Sequence, residues 1–114
     1  MLVETFKYIG VVVYIMYAKL ICYTLGKANY QIRGKFKREF SGYKDKSNMG
    51  QYTYERKGVL SGIPHSKPIR SVVIVEKIYE NKIVQFLRKY KAKIKTYDVL
   101  IDKDELKIPQ GLTP

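Results

Sequence analysis

The chain has 114 residues, 46% of them hydrophobic, with 22 Lys+Arg against 10 Asp+Glu and a net charge of +12. That length allows one domain and excludes a multi-domain enzyme. The hydrophobic share excludes wholesale disorder, and 8 Gly, 4 Pro and a single Cys exclude collagen-like and disulfide-scaffold chains.

The charge is uneven. Residues 27–70 carry +8 and residues 77–95 carry +6. Such a field favours polyanions: nucleic acid, an anionic membrane or an acidic protein. The usage of 17 Lys, 12 Ile and 11 Tyr beside 3 Asn also suits an AT-rich genome of hot or viral origin, so part of the charge belongs to composition. The lone Cys22 closes no internal disulfide, which fits a reducing, intracellular compartment. With His65 as the one other Cys or His, no zinc spacing exists and no cofactor is expected.

Tyr8–Leu25 is an apolar run that just reaches membrane-spanning length. Lys19 inside it would cost roughly 2.5–3.5 kcal/mol at mid-membrane. The run also divides. β-Branched Ile9–Met16 predicts a strand buried on both faces. Ala18, Ile21, Cys22 and Leu25, at i, i+3, i+4 and i+7, predict a helix over Tyr17–Ala28, capped by Gly26 or Asn29 and with Cys22 in the core. A soluble strand and helix are therefore expected in place of a span. The basic leader and cleavage pattern of a signal peptide are poor.

Tyr30–Phe40 alternates, with Tyr30, Ile32, Gly34, Phe36 and Phe40 on one side and Gln31, Arg33, Lys35, Lys37 and Glu39 on the other, broken only by Arg38. Period two predicts a strand with one dry and one basic face. Ser41–Gly50 reads as a loop and Gln51–Leu60 as a returning strand, so residues 38–60 form a hairpin extension. Ser61–Pro68 is a second loop. Val72–Val75 marks another doubly buried strand over Ile69–Lys77. Tyr79, Ile83, Phe86, Leu87 and Tyr90 form the apolar stripe of a helix over 79–92. Ile94–Ile101 is the last strand, and 102–114 reads as a polar tail.

The expected fold is α+β: a ferredoxin-like βαββαβ sandwich over 1–101, an antiparallel sheet with two helices on one face and a long hairpin between the halves. Strands that start each half are apolar on both faces, as central strands are; strands that end each half alternate, as edge strands do. With helices on only one face, the sheet needs a second cover, most simply another subunit, so a homo-oligomer, dimer or trimer, is expected.

The order of elements, with Lys27–Tyr43 (KANYQIRGKFKREFSGY) leading into a long loop and IRSVVIVEKIYENKIVQFLRKY following it, resembles the PII-like group of ferredoxin-fold proteins. The resemblance implies subunit clefts that take an anionic small ligand. The glycine-rich phosphate loop of that group has no counterpart, since residues 90–95 read YKAKIK, so it implies no ATP site. RNA-recognition modules share the order, but SVVIVEK lacks their aromatic signature.

The basic hairpin is the leading candidate site. Arg33, Lys35 and Lys37 would lie about 7 Å apart on one strand face. Lys44 and Lys46 follow in the loop, and Arg56 and Lys57 on the return strand. Tyr43, Tyr52 and Tyr54 are interleaved and suited to stacking on bases. Arg88 and Lys89 on the second helix, with Lys82, Lys91, Lys93 and Lys95 near, form a second patch. The hairpin reads equally as a solvated edge, and the helix patch reads first as a solvated helix face with charges that complement the dipole. His65, with Ser61 and Ser66 nearby, lacks an orienting carboxylate. Asp98, Asp102, Asp104 and Glu105 suggest a metal-dependent nuclease, but on a strand Asp98 and Asp102 stand about 13 Å apart. The leading expectation is a small, non-enzymatic protein that holds nucleic acid through its phosphates. The alternatives are a PII-like regulator and, third, the nuclease.

Overall fold

A computed structural model describes residues 2–8, 11–47 and 49–107. In chain order these form β1 (Leu2–Tyr8), β2 (Val11–Thr24), α1 (Tyr30–Ser41), β3 (Tyr43–Ser47), β4 (Tyr52–Arg56), β5 (His65–Ser66), β6 (Val72–Val75), α2 (Glu80–Lys89) and β7 (Lys93–Asp102). The architecture is α+β, an antiparallel sheet with two helices, compatible with a ferredoxin-like fold.

β2 is the axis of the sheet. Along one edge it pairs with β7 from Ile15 to Thr24. Along the other it pairs first with β1, from Val11 to Met16, and then with β6, from Lys19 to Cys22. The two residues of β5 extend the sheet beyond β6. β6 is thus interior and β7 lies at an edge, as their hydrophobic patterns predict. The expected doubly buried strand Ile9–Met16, by contrast, meets β7 only at Ile15 and Met16, pairs otherwise with β1, and leaves Tyr14 44% exposed.

The core forms on the face of β2 that carries Ile21 and Tyr23. Val73 and Val75 of β6, Phe36 and Phe40 of α1, Ile83 and Leu87 of α2, and Leu60 and Ile63 of the connection before β5 pack against them. Its centre is aromatic. Phe40 stacks on Phe86 with ring centroids 5.3 Å apart, and meets Tyr23 edge-on at 5.6 Å. Such pairs add about 0.5–1.5 kcal/mol each beyond area burial.

Two expected elements change type. Tyr17–Ala28 is not a helix; β2 continues through it to Thr24. Both faces of that segment are buried, Met16 and Ala18 on one and Ile21 and Tyr23 on the other, so its apolar spacing fits either period, and the ladder to β7 decides. Half-buried Cys22 therefore sits on a strand. Tyr30–Phe40 is not a strand but α1. Phe36 and Phe40 lie one helical turn apart and are both buried, and Asn29 caps the helix by accepting from the Ile32 N–H at 2.9 Å. Asn29 thus begins this helix rather than ending another.

The hairpin is correspondingly shorter than 38–60: β3, expected as loop, pairs with β4 from Tyr43↔Arg56 to Ser47↔Tyr52. The expected tail starts inside β7, and Lys107 bridges back to His65 by two backbone hydrogen bonds of 2.9 and 3.1 Å. The expected strand start at Ile9 and the tail beyond residue 107 lie outside the described residues. No helix of the described residues is long and apolar enough to cross a membrane.

Candidate nucleic-acid interface

The hairpin β3–β4 leaves the body at a neck of two glycines. Gly42 ends α1 with φ +79°, where its N–H donates to Arg38 at 2.9 Å. A Cβ on Gly42 would stand 2.6 Å from the Arg56 carbonyl oxygen, and a Cβ on Gly58 would stand 2.3 Å from the Gly42 nitrogen and 2.6 Å from the Phe40 oxygen. The two chain segments touch backbone to backbone. Buried Ser61 fastens the crossing by accepting from the Gly58 N–H at 2.9 Å.

Beyond the neck the register sorts the side chains. Tyr43, Asp45, Tyr52, Tyr54 and Arg56 share one face; Lys44, Lys46, Thr53 and Glu55 share the other. Every residue of β4 is exposed. The three tyrosines are 39%, 54% and 49% exposed for Tyr43, Tyr52 and Tyr54, open enough to accept a stacked base. Tyr52 and Tyr54 are two residues apart on one strand, about 7 Å. Tyr54 and Tyr43 are diagonal neighbours across the pair, again about 7–8 Å. That step is roughly twice the 3.4 Å rise of a stacked strand, which suits bases that have been drawn apart.

Arg56 lies beside this row. Its guanidinium contacts Asp45 at 3.3 Å and lies 5.8 Å over the Tyr54 ring. The pair is exposed on both sides, so it orients the side chain more than it stabilises the fold. Lys44, Lys46 and Lys57 are exposed cations of the same arm.

The other expected site residues are dispersed. On a helix Arg33, Lys35 and Lys37 do not form a 7 Å ladder: Arg33 and Lys37 are one turn apart on one side and Lys35 points away from them. Arg33 is engaged with backbone, donating to the carbonyls of Ala28 and Gly26. With Lys37 it lines a cavity that Lys67, expected in the loop Ser61–Pro68, and Arg70, expected in the strand Ile69–Lys77, line as well.

Arg88 and Lys89 lie in the last turn of α2. Lys89 contacts Glu39 at 3.7 Å, and the Tyr90 hydroxyl donates to the same carboxylate at 2.5 Å. That hydrogen bond holds Glu39 below the usual carboxylate range. Burial, with the bond to Glu39, pushes Tyr90 up to about 12. This patch is therefore partly neutralised.

The carboxylates of the last strand are committed elsewhere. Asp98 pairs with Lys19 of β2 at 2.6 Å, and Glu80 lies 3.7 Å from the same ammonium. The Asp102 carboxylate accepts from the Asp104 N–H. Among the described residues no three His, Cys, Asp or Glu side chains converge as a metal site would require. His65 Nδ1 is 2.8 Å from the Ile63 carbonyl oxygen.

The register across the hairpin is what sequence reading missed. It places Asp45 between the tyrosines and beside Arg56, and makes Tyr43 a member of the same row. The alternation of Tyr52 and Tyr54 was visible, but the pairing partner chosen for that strand was the segment that forms α1. The chain matches no family model, and no match was found among curated proteins or solved structures.

Proposed function

We propose that this is a small, non-enzymatic binding protein that holds single-stranded nucleic acid on the hairpin arm. The observation that carries the reading is the row of three exposed tyrosines at about 7 Å steps, with Arg56 beside it and Lys44 and Lys46 on the reverse face. Rings in water are stacking platforms, worth roughly 1–3 kcal/mol per base in proteins that use them. Cations of the arm and of the +12 body supply contact to phosphates and little sequence discrimination.

The underlying fold in this reading is the ferredoxin-like βαββαβ sandwich. Its six elements are β2, α1, β5, β6, α2 and β7, with β1 and the arm as additions. In support, the strand order β7–β2–β6–β5 is antiparallel at every step, as in that fold. The arm would then replace most of the second strand's hydrogen-bonding length, leaving the two residues of β5. A PII-like relationship is the second reading, favoured by the projection inserted between the halves.

Fluorescence anisotropy with labelled single-stranded and duplex oligonucleotides tests the function. Single strands should bind more tightly than duplex, and Tyr52→Ala with Tyr54→Ala should weaken single-strand binding by at least tenfold. Equal affinity of the variant and the wild type, or no binding at low salt, would overturn it.

A further inference from the structure

Away from the arm, the end of β2, one side of α1 and the loop between β5 and β6 enclose a cavity of about 300 Å³, at the lower end of the range of small-molecule sites. Its walls hold four cations, Arg33, Lys37, Lys67 and Arg70, and no acidic residue. Thr24, Ser41 and Ser71, which carry hydroxyls, line it as well. Among the described residues, Lys37, Lys67 and Arg70 have no carboxylate partner.

Lys67 is the centre of the cluster. The residue as a whole is open to solvent, yet its ammonium turns inward. It lies 5.3 Å over the Tyr23 ring and 5.7 Å over the Phe40 ring, and donates to the Tyr23 hydroxyl at 2.8 Å. An ammonium has three donors, and among the described residues the Tyr23 hydroxyl is the one acceptor it meets. The phenolic proton of Tyr23 has no acceptor among the described residues, so an anion arriving beside Lys67 would accept from both groups. Burial holds Lys67 below the usual lysine range and pushes Tyr23 up to about 12. The phenol therefore keeps its proton to donate. Desolvation of an unpartnered cation is the condition an arriving anion relieves.

We propose that this cavity is a binding site for a ligand carrying two or more phosphate groups, held by Lys67, Lys37, Arg70 and the Tyr23 hydroxyl. Arg33, fixed to the Gly26 and Ala28 carbonyls, forms the rigid end of the site. The proposal goes beyond the arm and does not depend on it. Four cations in this volume exceed the charge of a single phosphate, and the hydroxyls add the neutral donors that phosphate oxygens use. The ligand could come as a free diphosphate or triphosphate compound, or as the 5′ end of a nucleic-acid strand.

Isothermal titration calorimetry of the full chain with sodium pyrophosphate and with orthophosphate, joined to thermal denaturation, tests the site. Pyrophosphate should bind more tightly than orthophosphate and raise the melting temperature. Lys67→Gln, and separately Lys37→Gln, should weaken binding at least tenfold. Lys44→Gln on the arm, which removes the same charge, should not. Absence of heat and of any melting shift at millimolar pyrophosphate would overturn the proposal, as would equal losses in the cavity and arm variants. With pyrophosphate binding established, a preference for 5′-phosphorylated over 5′-hydroxyl oligonucleotides that Lys67→Gln abolishes assigns the strand end. No such preference assigns the free compound. Both results support the site.

Discussion

Glu39 is a surface carboxylate on α1 that meets the Tyr90 hydroxyl and the Lys89 ammonium, both from α2 or its end. The hydrogen bond from Tyr90, first among the causes, lowers its proton affinity in the folded state. A carboxyl held lower in the folded than in the unfolded chain contributes stability above the unfolded value, about 4.3 for Glu. That contribution is lost as pH falls through the folded value. The same sign holds for Asp98, lowered chiefly by its hydrogen bond with Lys19. Urea denaturation midpoints should therefore fall as pH drops from 5 towards 3, and Glu39→Gln should flatten that fall. Midpoints of wild type and variant that run parallel across this window would show Glu39 uncoupled from folding.

At the scale of the elements, the helix α1 shows why legibility ran out where it did. Ile32, Phe36 and Phe40 recur every four residues, an interval that is even, and so keeps one face of a strand, and that is also close to one helical turn. Alternating lysines between them completed the strand pattern. The break at Arg38 was the signal against it, together with Asn29 three residues before Ile32, where a helix cap belongs. In β2 the reverse occurred: a strand of 14 residues is long against the usual five or six. Burial on both faces erased the period that would have joined its two halves. The elements α2 and β7 were readable because each has one clear period, and β6 because it is a short, purely apolar β-branched block, although it spans Val72–Val75 where Ile69–Lys77 was expected. The candidate site followed the same division. Tyr52, Tyr54 and Arg56 were legible because β4 was, whereas Arg33, Lys35 and Lys37 were assigned to a strand that does not exist. At the neck between α1 and the arm, Gly58→Ala places a methyl against backbone that has no room to yield. It should lower stability by about 1–3 kcal/mol, the usual range for overpacking, measured by urea denaturation. An unchanged midpoint would mean that the crossing opens at no cost.

For the whole molecule the balance is between a net charge of +12 and ion pairs such as Lys19 with Asp98 and Glu80, Arg56 with Asp45 and Lys89 with Glu39. Binding of nucleic acid by such a body releases counterions, and log affinity falls linearly with log salt, with a slope of about −0.7 per phosphate contacted on single strands. Anisotropy across a salt series should give a slope between about −2 and −4 if the arm and its surroundings contact three to five phosphates. A flat dependence would place recognition outside electrostatics. Across the sheet from α1 and α2, Met16, Ala18 and Ile74 are buried outside the helical core, so the sheet contributes apolar packing on two sides rather than one.

The touching glycines also set how the arm relates to the rest of the chain. Because Gly42 and Gly58 meet, the polypeptide returns to the place it left, and the fifteen residues between them add nothing to the path that connects α1 to β5. To the body the arm is a detour of zero net displacement. Changes in its length, sequence and pitch should therefore leave the strands of the sheet in place, and a chain excised and rejoined at the glycines should keep its course. Variation in the arm is thereby uncoupled from the folding of the domain that carries it.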